Sequence, residues 1–206
     1  MPLVRTPKQS SSPETDWGSV LRLAESCDYE EEHAWHVTRL ALRLFDELRP
    51  MHELEEDARL DMQAGALLHD IGVIDGRRNH HKSSLDRIVD SELLPFDQTR
   101  RLIIGSIARY HRAALPSKRH WHYAALSPAD RQRVCALGGI VRLADCLDRG
   151  HDGLVHDLAA AADPERIVVL CQVRQPLDLD PDRAADKAQL LEQTFARRVV
   201  LRFQHK

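Results

Sequence analysis

The sequence predicts a mainly α-helical protein with a small α+β unit at its C-terminal end. Apolar residues recur at helical spacing in successive segments as far as Gly150, and helix-start signals precede several of them. After Gly150 the pattern changes to a β-branched run, Ile167–Val173, which is typical of a strand. We therefore expect a disordered lead-in over 1–15, a helical domain over 16–150 and a small α+β subdomain over 151–206 packed on it.

The composition indicates a soluble globular protein. Hydrophobic residues make up 43% and charged residues 30% of the chain, and no apolar run approaches the length of a membrane span. The Pro/Ser/Thr-rich N-terminus lacks the apolar core of a signal peptide. Four cysteines without metal or disulfide spacing favour reduced thiols and a cytoplasmic location. A net charge of -3 gives no support for general nucleic-acid binding.

Local signals define the N-terminal helices. Asp16–Cys27 is predicted as a short amphipathic helix. Asp28 is expected to be the N-cap of a second helix, with Glu31 as its capping-box partner. This second helix should run to about Leu48, because Pro50 stops it.

Further helix signals follow along the chain. Glu56–His69 is predicted as a third helix, and another follows the polar segment His80–Ser84. Asp97 is expected to cap the next one, and Ser127 with Pro128 is a strong start signal for a long helix.

The C-terminal part of the sequence is predicted to form strands around one helix. The alanine-rich segment Leu154–Ala162 fits a helix or a strand, and the turn signal Asp163–Arg166 favours a hairpin with Ile167–Val173. Asp180-Pro181 opens a helix, and Val199–Phe203 closes the chain as a strand. We expect these strands to be antiparallel.

Imidazoles and carboxylates lie on or beside several apolar helical stripes. His69 and Asp70 end one apolar run, His33 and His111 each extend a stripe by one turn, and Asp145 lies at the edge of another. Each of them alone is satisfactorily explained as a hydrogen-bonded core residue. Together, their separate burial in one bundle would cost several kcal/mol in desolvation, whereas grouping around cations stabilises them.

The sequence therefore predicts a metal centre built between helices. Neutral imidazole and carboxylate suit divalent Mn, Mg, Fe, Co, Ni or Zn. Six ligands exceed the number that one cation with open positions needs, so they could hold two, with Asp70 as the bridge. The predicted metal ligands are His33, His69, Asp70, His80, His111 and Asp145.

The ordered set His33, His69-Asp70 and Asp145 resembles the signature of the HD superfamily of metal-dependent phosphohydrolases. His80 and His111 match the extra histidines of its dinuclear branch. From Trp17 onward the chain is similar to the C-terminal HD domain of exopolyphosphatase/guanosine pentaphosphate phosphohydrolases. The segments that carry this similarity are Arg39–Asp46, His80–Ser84, Arg109–Arg112 and Arg142–Arg149.

The resemblance implies an HD-type helical bundle that cleaves a phosphoester or phosphoanhydride with a metal-activated water, Asp70 and His69 being the catalytic residues. The substrate class would be a nucleotide, an alarmone or polyphosphate, with no membrane or specific nucleic-acid partner. That family carries its phosphatase chemistry on N-terminal actin-like domains, which this sequence does not show. Some members use the HD domain for polyphosphate binding and dimerisation, so a homodimer is expected. Ser83 stands where the family often has histidine.

Four basic or imidazole side chains near the ligands are candidates to bind further phosphates: His81, Lys82, Arg112 and Arg149. The alternative for them is solvated surface charge. Two other functions stay open at this point. One is a non-catalytic polyphosphate- or nucleotide-binding module, and the other is a mixed-valence di-iron oxygenase, which uses the same ligand set.

Overall fold

The computed structural model describes residues 13–112, 114–174 and 181–205. The helices are α1 (Pro13–Ser26), α2 (Glu31–Glu47), α3 (Arg49–His52), α4 (Glu56–Leu67), α5 (His80–Val89), α6 (Gln98–Tyr110), α7 (Trp121–Ala124), α8 (Pro128–Leu147) and α9 (Pro181–Phe195). A 3-10 helix spans Ile71–Asp75, and the strands are β1 (Val155–Ala162), β2 (Arg166–Val173) and β3 (Arg198–His205). The predicted fold class, mainly α with a small α+β appendage, is confirmed.

The start of α2 differs from the prediction. Glu30, not Asp28, is the N-cap residue, and its side chain makes no capping hydrogen bond. Asp28 has a positive φ of 48°, and its N–H donates to Glu25 O in the turn that ends α1. Because an N-cap residue needs an extended backbone, Asp28 cannot serve both turns, and the predicted capping box with Glu31 is wrong.

Other boundaries shift by a few residues. The helix expected after His80–Ser84 begins at His80 itself. α1 begins at Pro13, so the last part of the predicted lead-in is helical, while residues 1–12 lie outside the described residues. Pro50 does not simply end the second helix but lies in the first turn of α3, where its missing N–H costs nothing. α4 ends at Leu67, two residues before His69. The helix starts predicted at Asp97 and Ser127 are confirmed, since both side chains accept a backbone N–H.

Gly72 lets the N-terminus of α5 pack directly on the turn that follows α4. A Cβ at this position would overlap His80 O and lie 2.5 Å from Ser84 N. The Gly72 N–H donates to Ser84 Oγ at 2.9 Å, which fixes the contact. This close approach places His80 beside Asp70.

The C-terminal sheet has the order β1-β2-β3. β1 and β2 form the predicted antiparallel hairpin, which settles the ambiguity of Leu154–Ala162 in favour of a strand. β3 runs parallel to β2, so the expectation of antiparallel strands is wrong for β3. The reason is that α9 lies between β2 and β3 and returns the chain to the same end of the sheet, as parallel pairing requires.

One hydrophobic cluster joins the helices to the sheet. It contains Leu40 and Leu44 of α2, Val141 of α8, Val169 of β2 and Leu191 of α9, all buried. Shared burial of this kind holds the appendage on the helical body, while the predicted division at residue 150 stays a prediction. All four cysteines are free thiols. None of the helices in the described part of the chain is long and apolar enough to cross a membrane.

Candidate metal centre

Side chains from α2, α5, α6, α8 and the turn after α4 meet at one place in the bundle. Two groups of potential metal-ligating atoms result, each with its atoms within 4.8 Å of one another. The first comprises His33, His69 and Asp70, and the second comprises Asp70, His80 and His111. Asp70 belongs to both groups, so its position is compatible with the bridging role predicted for it.

Three of the imidazoles are oriented in the same way. Each lies within 2.9 Å of the carbonyl three residues earlier through its Nδ1: His69 to Ala66, His80 to Arg77 and His111 to Ala108. In the neutral imidazole, Nδ1–H donates to that carbonyl and Nε2 keeps its lone pair. The local turn therefore aims each Nε2 lone pair at the centre of the cluster, which is the arrangement found in metal-binding histidines.

His33 is oriented by a carboxylate instead. Its Nδ1 lies 2.8 Å from Asp148 Oδ2, and Asp148 Oδ1 accepts the Gly153 N–H at 2.9 Å. Burial lowers the pKa of His33, but the hydrogen bond that its ring donates to Asp148 and the nearby charge of Asp145 outweigh burial and raise the pKa overall. Asp148 was not predicted as a site residue, although its place three residues after Asp145, at the C-cap of α8, is a signal that could have found it.

Buried acceptor atoms without a partner converge at this point. His33 Nε2, His69 Nε2 and Asp70 Oδ1 are all buried and make no hydrogen bond. Asp70 Oδ1 lies 3.0 Å from His80 Nε2 and 3.4 Å from His111 Nε2 without hydrogen-bond geometry. Buried polar atoms are seldom left unpaired, so this donor set fits a cation.

The protonation states of Asp70 and His111 also suit a cation. Burial would raise the pKa of Asp70, but the imidazoles of His69 and His80 hold it below its usual range. Burial and the neighbouring His69 lower the pKa of His111 to about 3. At neutral pH the carboxylate is therefore charged and the His111 imidazole is neutral, as coordination of a metal requires.

One carboxylate oxygen of Asp145 faces the centre of the cluster, and the other contacts a lysine. Its Oδ1 lies 3.8 Å from His33 Nε2 and 4.0 Å from His69 Nε2. Its Oδ2 accepts a hydrogen bond from Lys187 Nζ of α9 at 2.5 Å. Burial would raise the pKa of Asp145, but Lys187 and His111 lower it below its usual range. Lys187 had no signal in the sequence, because its role depends on how α9 packs on α8.

A cavity of about 330 Å³ opens beside these ligands. Asp70, His80, His111 and Asp145 line it together with the basic residues Arg77, Arg112, Arg149 and Lys187. Within the described residues, Arg112 and Arg149 are thus the predicted phosphate-binding side chains that reach the cavity. Arg77 was not predicted. The positive charge around the cavity suits an anionic ligand, although the net charge of the chain is negative.

The other two candidates are not part of the described cavity wall, although the ring of His81 lies edge-on to that of His111, with 6.4 Å between the ring centroids. His81 is 7% exposed and is not among the described residues that line the cavity. Burial and the charge of Arg109 lower its pKa to about 4. Lys82 is exposed and is likewise absent from the described cavity wall. Of the adjacent pair, it is His80 that lies beside Asp70.

The fold and the site define a class: a helical domain whose buried His/Asp groups could hold metal ions next to a basic cavity. A family model described as "Ppx/GppA phosphatase, domain III" matches residues 17–177. The chain belongs to this family, which confirms the resemblance found in the sequence. A search of curated proteins finds no match. Membership supports a phosphatase-related role on polyphosphate or nucleotide.

Proposed function

We propose that this protein is a metal-dependent phosphohydrolase that cleaves a phosphoester or phosphoanhydride of a nucleotide, alarmone or polyphosphate-like substrate. The observation that carries the proposal is the convergence of three unpartnered buried acceptor atoms, on His33, His69 and Asp70, in a centre that opens to a basic cavity. Acceptors without donors favour a cation, and the basic wall favours a phosphorylated ligand.

The residues divide between holding cations and holding phosphate. His33, His69 and Asp145 surround one side of Asp70, and His80 and His111 surround the other. Two divalent ions held there would supply Lewis acidity that activates water and offsets charge on the phosphoryl oxygens. Mn, Mg, Fe, Co, Ni and Zn all suit such ligands.

The protein's own contribution is binding and orientation. Asp148 and the backbone carbonyls fix the imidazole rings before any ligand arrives, so little reorganisation is needed on binding. Arg77, Arg112 and Arg149 lie on the exposed side of the cavity and attract the phosphates of the substrate. The mechanism then requires no protein nucleophile.

The test is a phosphate-release screen with Mn, Mg, Co or Fe on nucleoside phosphates and polyphosphate. Asp70→Asn should lower the rate by more than about a hundredfold, since it removes the charge shared by both ligand groups. Asp90→Asn is the matched control, because Asp90 is exposed at the end of α5. Full activity of Asp70→Asn would refute the proposal.

Two alternatives give different outcomes in the same screen. Substrate binding without turnover under every metal would favour a non-catalytic polyphosphate- or nucleotide-binding module, for which the basic cavity is equally suitable. Phosphate release that continues without oxygen would exclude the di-iron oxygenase.

A further inference from the structure

Lys187 brings a positive charge from the C-terminal helix into the centre. Its Nζ lies 2.5 Å from Asp145 Oδ2 and 2.9 Å from His111 O, and its side chain lines the cavity. The side chain is 14% exposed, and that of Asp145 is 18% exposed. The ammonium group is therefore fixed by two residues that belong to different parts of the ligand set.

This ammonium differs from the other basic groups of the cavity. Arg77, Arg112 and Arg149 are exposed, so water and salt screen their charges. Lys187 is partly buried, and its charge is screened less. An ammonium has three N–H donors, and the contacts with Asp145 and His111 use two of them. No described residue accepts the third, and the side chain lines the cavity, where a ligand could accept it.

The position of Lys187 has two consequences of opposite sign. Because its Nζ contacts Oδ2 of Asp145 while Oδ1 faces His33 and His69, it leaves Oδ1 for a cation. Its positive charge nevertheless repels that cation through the shared carboxylate, and it attracts the anion that enters the cavity.

We propose that Lys187 is a substrate-binding residue of this centre, whose ammonium contacts a phosphoryl oxygen and at the same time restrains the cation affinity of Asp145. The proposal rests on the cavity being a phosphoryl site, as proposed above. It assigns a direct part in the site to α9, and it gives a role to the contact of Lys187 with Asp145, a partly buried carboxylate that is a predicted metal ligand.

The experiment measures two ligands separately by isothermal titration calorimetry. Inorganic phosphate is titrated into chelator-treated protein, and Mn²⁺ is titrated into phosphate-free protein. Lys187→Met should bind phosphate about tenfold more weakly, because a charged hydrogen bond is lost. It should bind Mn²⁺ about tenfold more tightly, because a nearby positive charge is removed. Lys118→Met is the matched control, since Lys118 is exposed, and it should change neither affinity.

The conservative variant Lys187→Arg keeps the charge and should restore most of the phosphate affinity. Lys187→Gln replaces Lys187→Met if circular dichroism shows that the methionine variant does not fold. Unchanged phosphate affinity in the neutral variant would overturn the proposal, and so would a parallel loss of both affinities, which indicates a structural role. Neither titration involves turnover, so an absence of hydrolysis would refute the proposed function without deciding the role of Lys187.

Discussion

Asp148 offers the sharpest test of how the ligands are oriented. Both of its oxygens accept hydrogen bonds, Oδ2 from His33 Nδ1 at 2.8 Å and Oδ1 from the Gly153 N–H at 2.9 Å. Asparagine has one acceptor oxygen, so in Asp148→Asn either two donors oppose each other at one of these contacts, or His33 takes the tautomer whose Nε2 carries the hydrogen and offers no lone pair to a metal. Asp148 is 1% exposed, and water cannot replace the lost partner.

The size of the effect follows from that geometry. A lost hydrogen bond to a charged, buried group costs about 1.5–3 kcal/mol of unfolding free energy. Loss of an outer partner of a metal-binding histidine lowers metal affinity about 10- to 100-fold. Urea unfolding and Mn²⁺ titration calorimetry measure the two quantities, with Asp152→Asn as the exposed control of equal charge change. Wild-type Mn²⁺ affinity in Asp148→Asn would refute the claim that Asp148 holds His33 in place.

Two further predictions concern stability. Burial and then the charge of Arg109 lower the pKa of His122 to about 4, so the folded protein resists its protonation. Above pH 6.5, the ordinary pKa of histidine, His122 is neutral in the folded and the unfolded chain, and stability does not depend on it. As pH falls from 6.5 towards 4, the unfolded chain takes up the proton first, so the unfolding free energy falls by up to about 3 kcal/mol. Urea unfolding across this range should show a shallower pH dependence for His122→Gln, and parallel curves for the two proteins would contradict the assignment. Gly72→Ala should destabilise the protein by about 1–3 kcal/mol through overlap with the start of α5, measured by urea unfolding. Gly18→Ala is its control, because a Cβ there meets only the end of the Arg22 side chain, and equal stability of the two variants would show that the close approach at Gly72 is not required.

Much of the fold could be predicted because its signals are local. The Asp97 and Ser127 caps depend on hydrogen bonds within one turn, and both were found. The hairpin followed from a β-branched run after a turn signal. Asp28 shows the limit of such signals: it has the chemistry of a cap, but the preceding turn places it at positive φ.

The site was predictable to the extent that its members extend apolar stripes. His33, His69 and His111 are buried as their spacing indicated, at 2%, 0% and 2% exposure. His81 and Lys82 were selected because they are adjacent to a ligand in the sequence, and adjacency does not determine direction. Consecutive side chains on a helix point about 100° apart, which is why His80 lies beside Asp70 while His81 is not among the described residues that line the cavity.

The sequence by itself determined which apolar faces are buried and where several helices begin, because helical periodicity and capping depend on neighbours within a few residues. Only the tertiary structure decided which groups meet. The contact of Lys187 with Asp145, the hydrogen bond between His33 and Asp148 and the parallel pairing of β3 each join segments far apart in the chain. A hydrophobic stripe specifies that a face must be covered but not which element covers it, because hydrophobic attraction is non-directional.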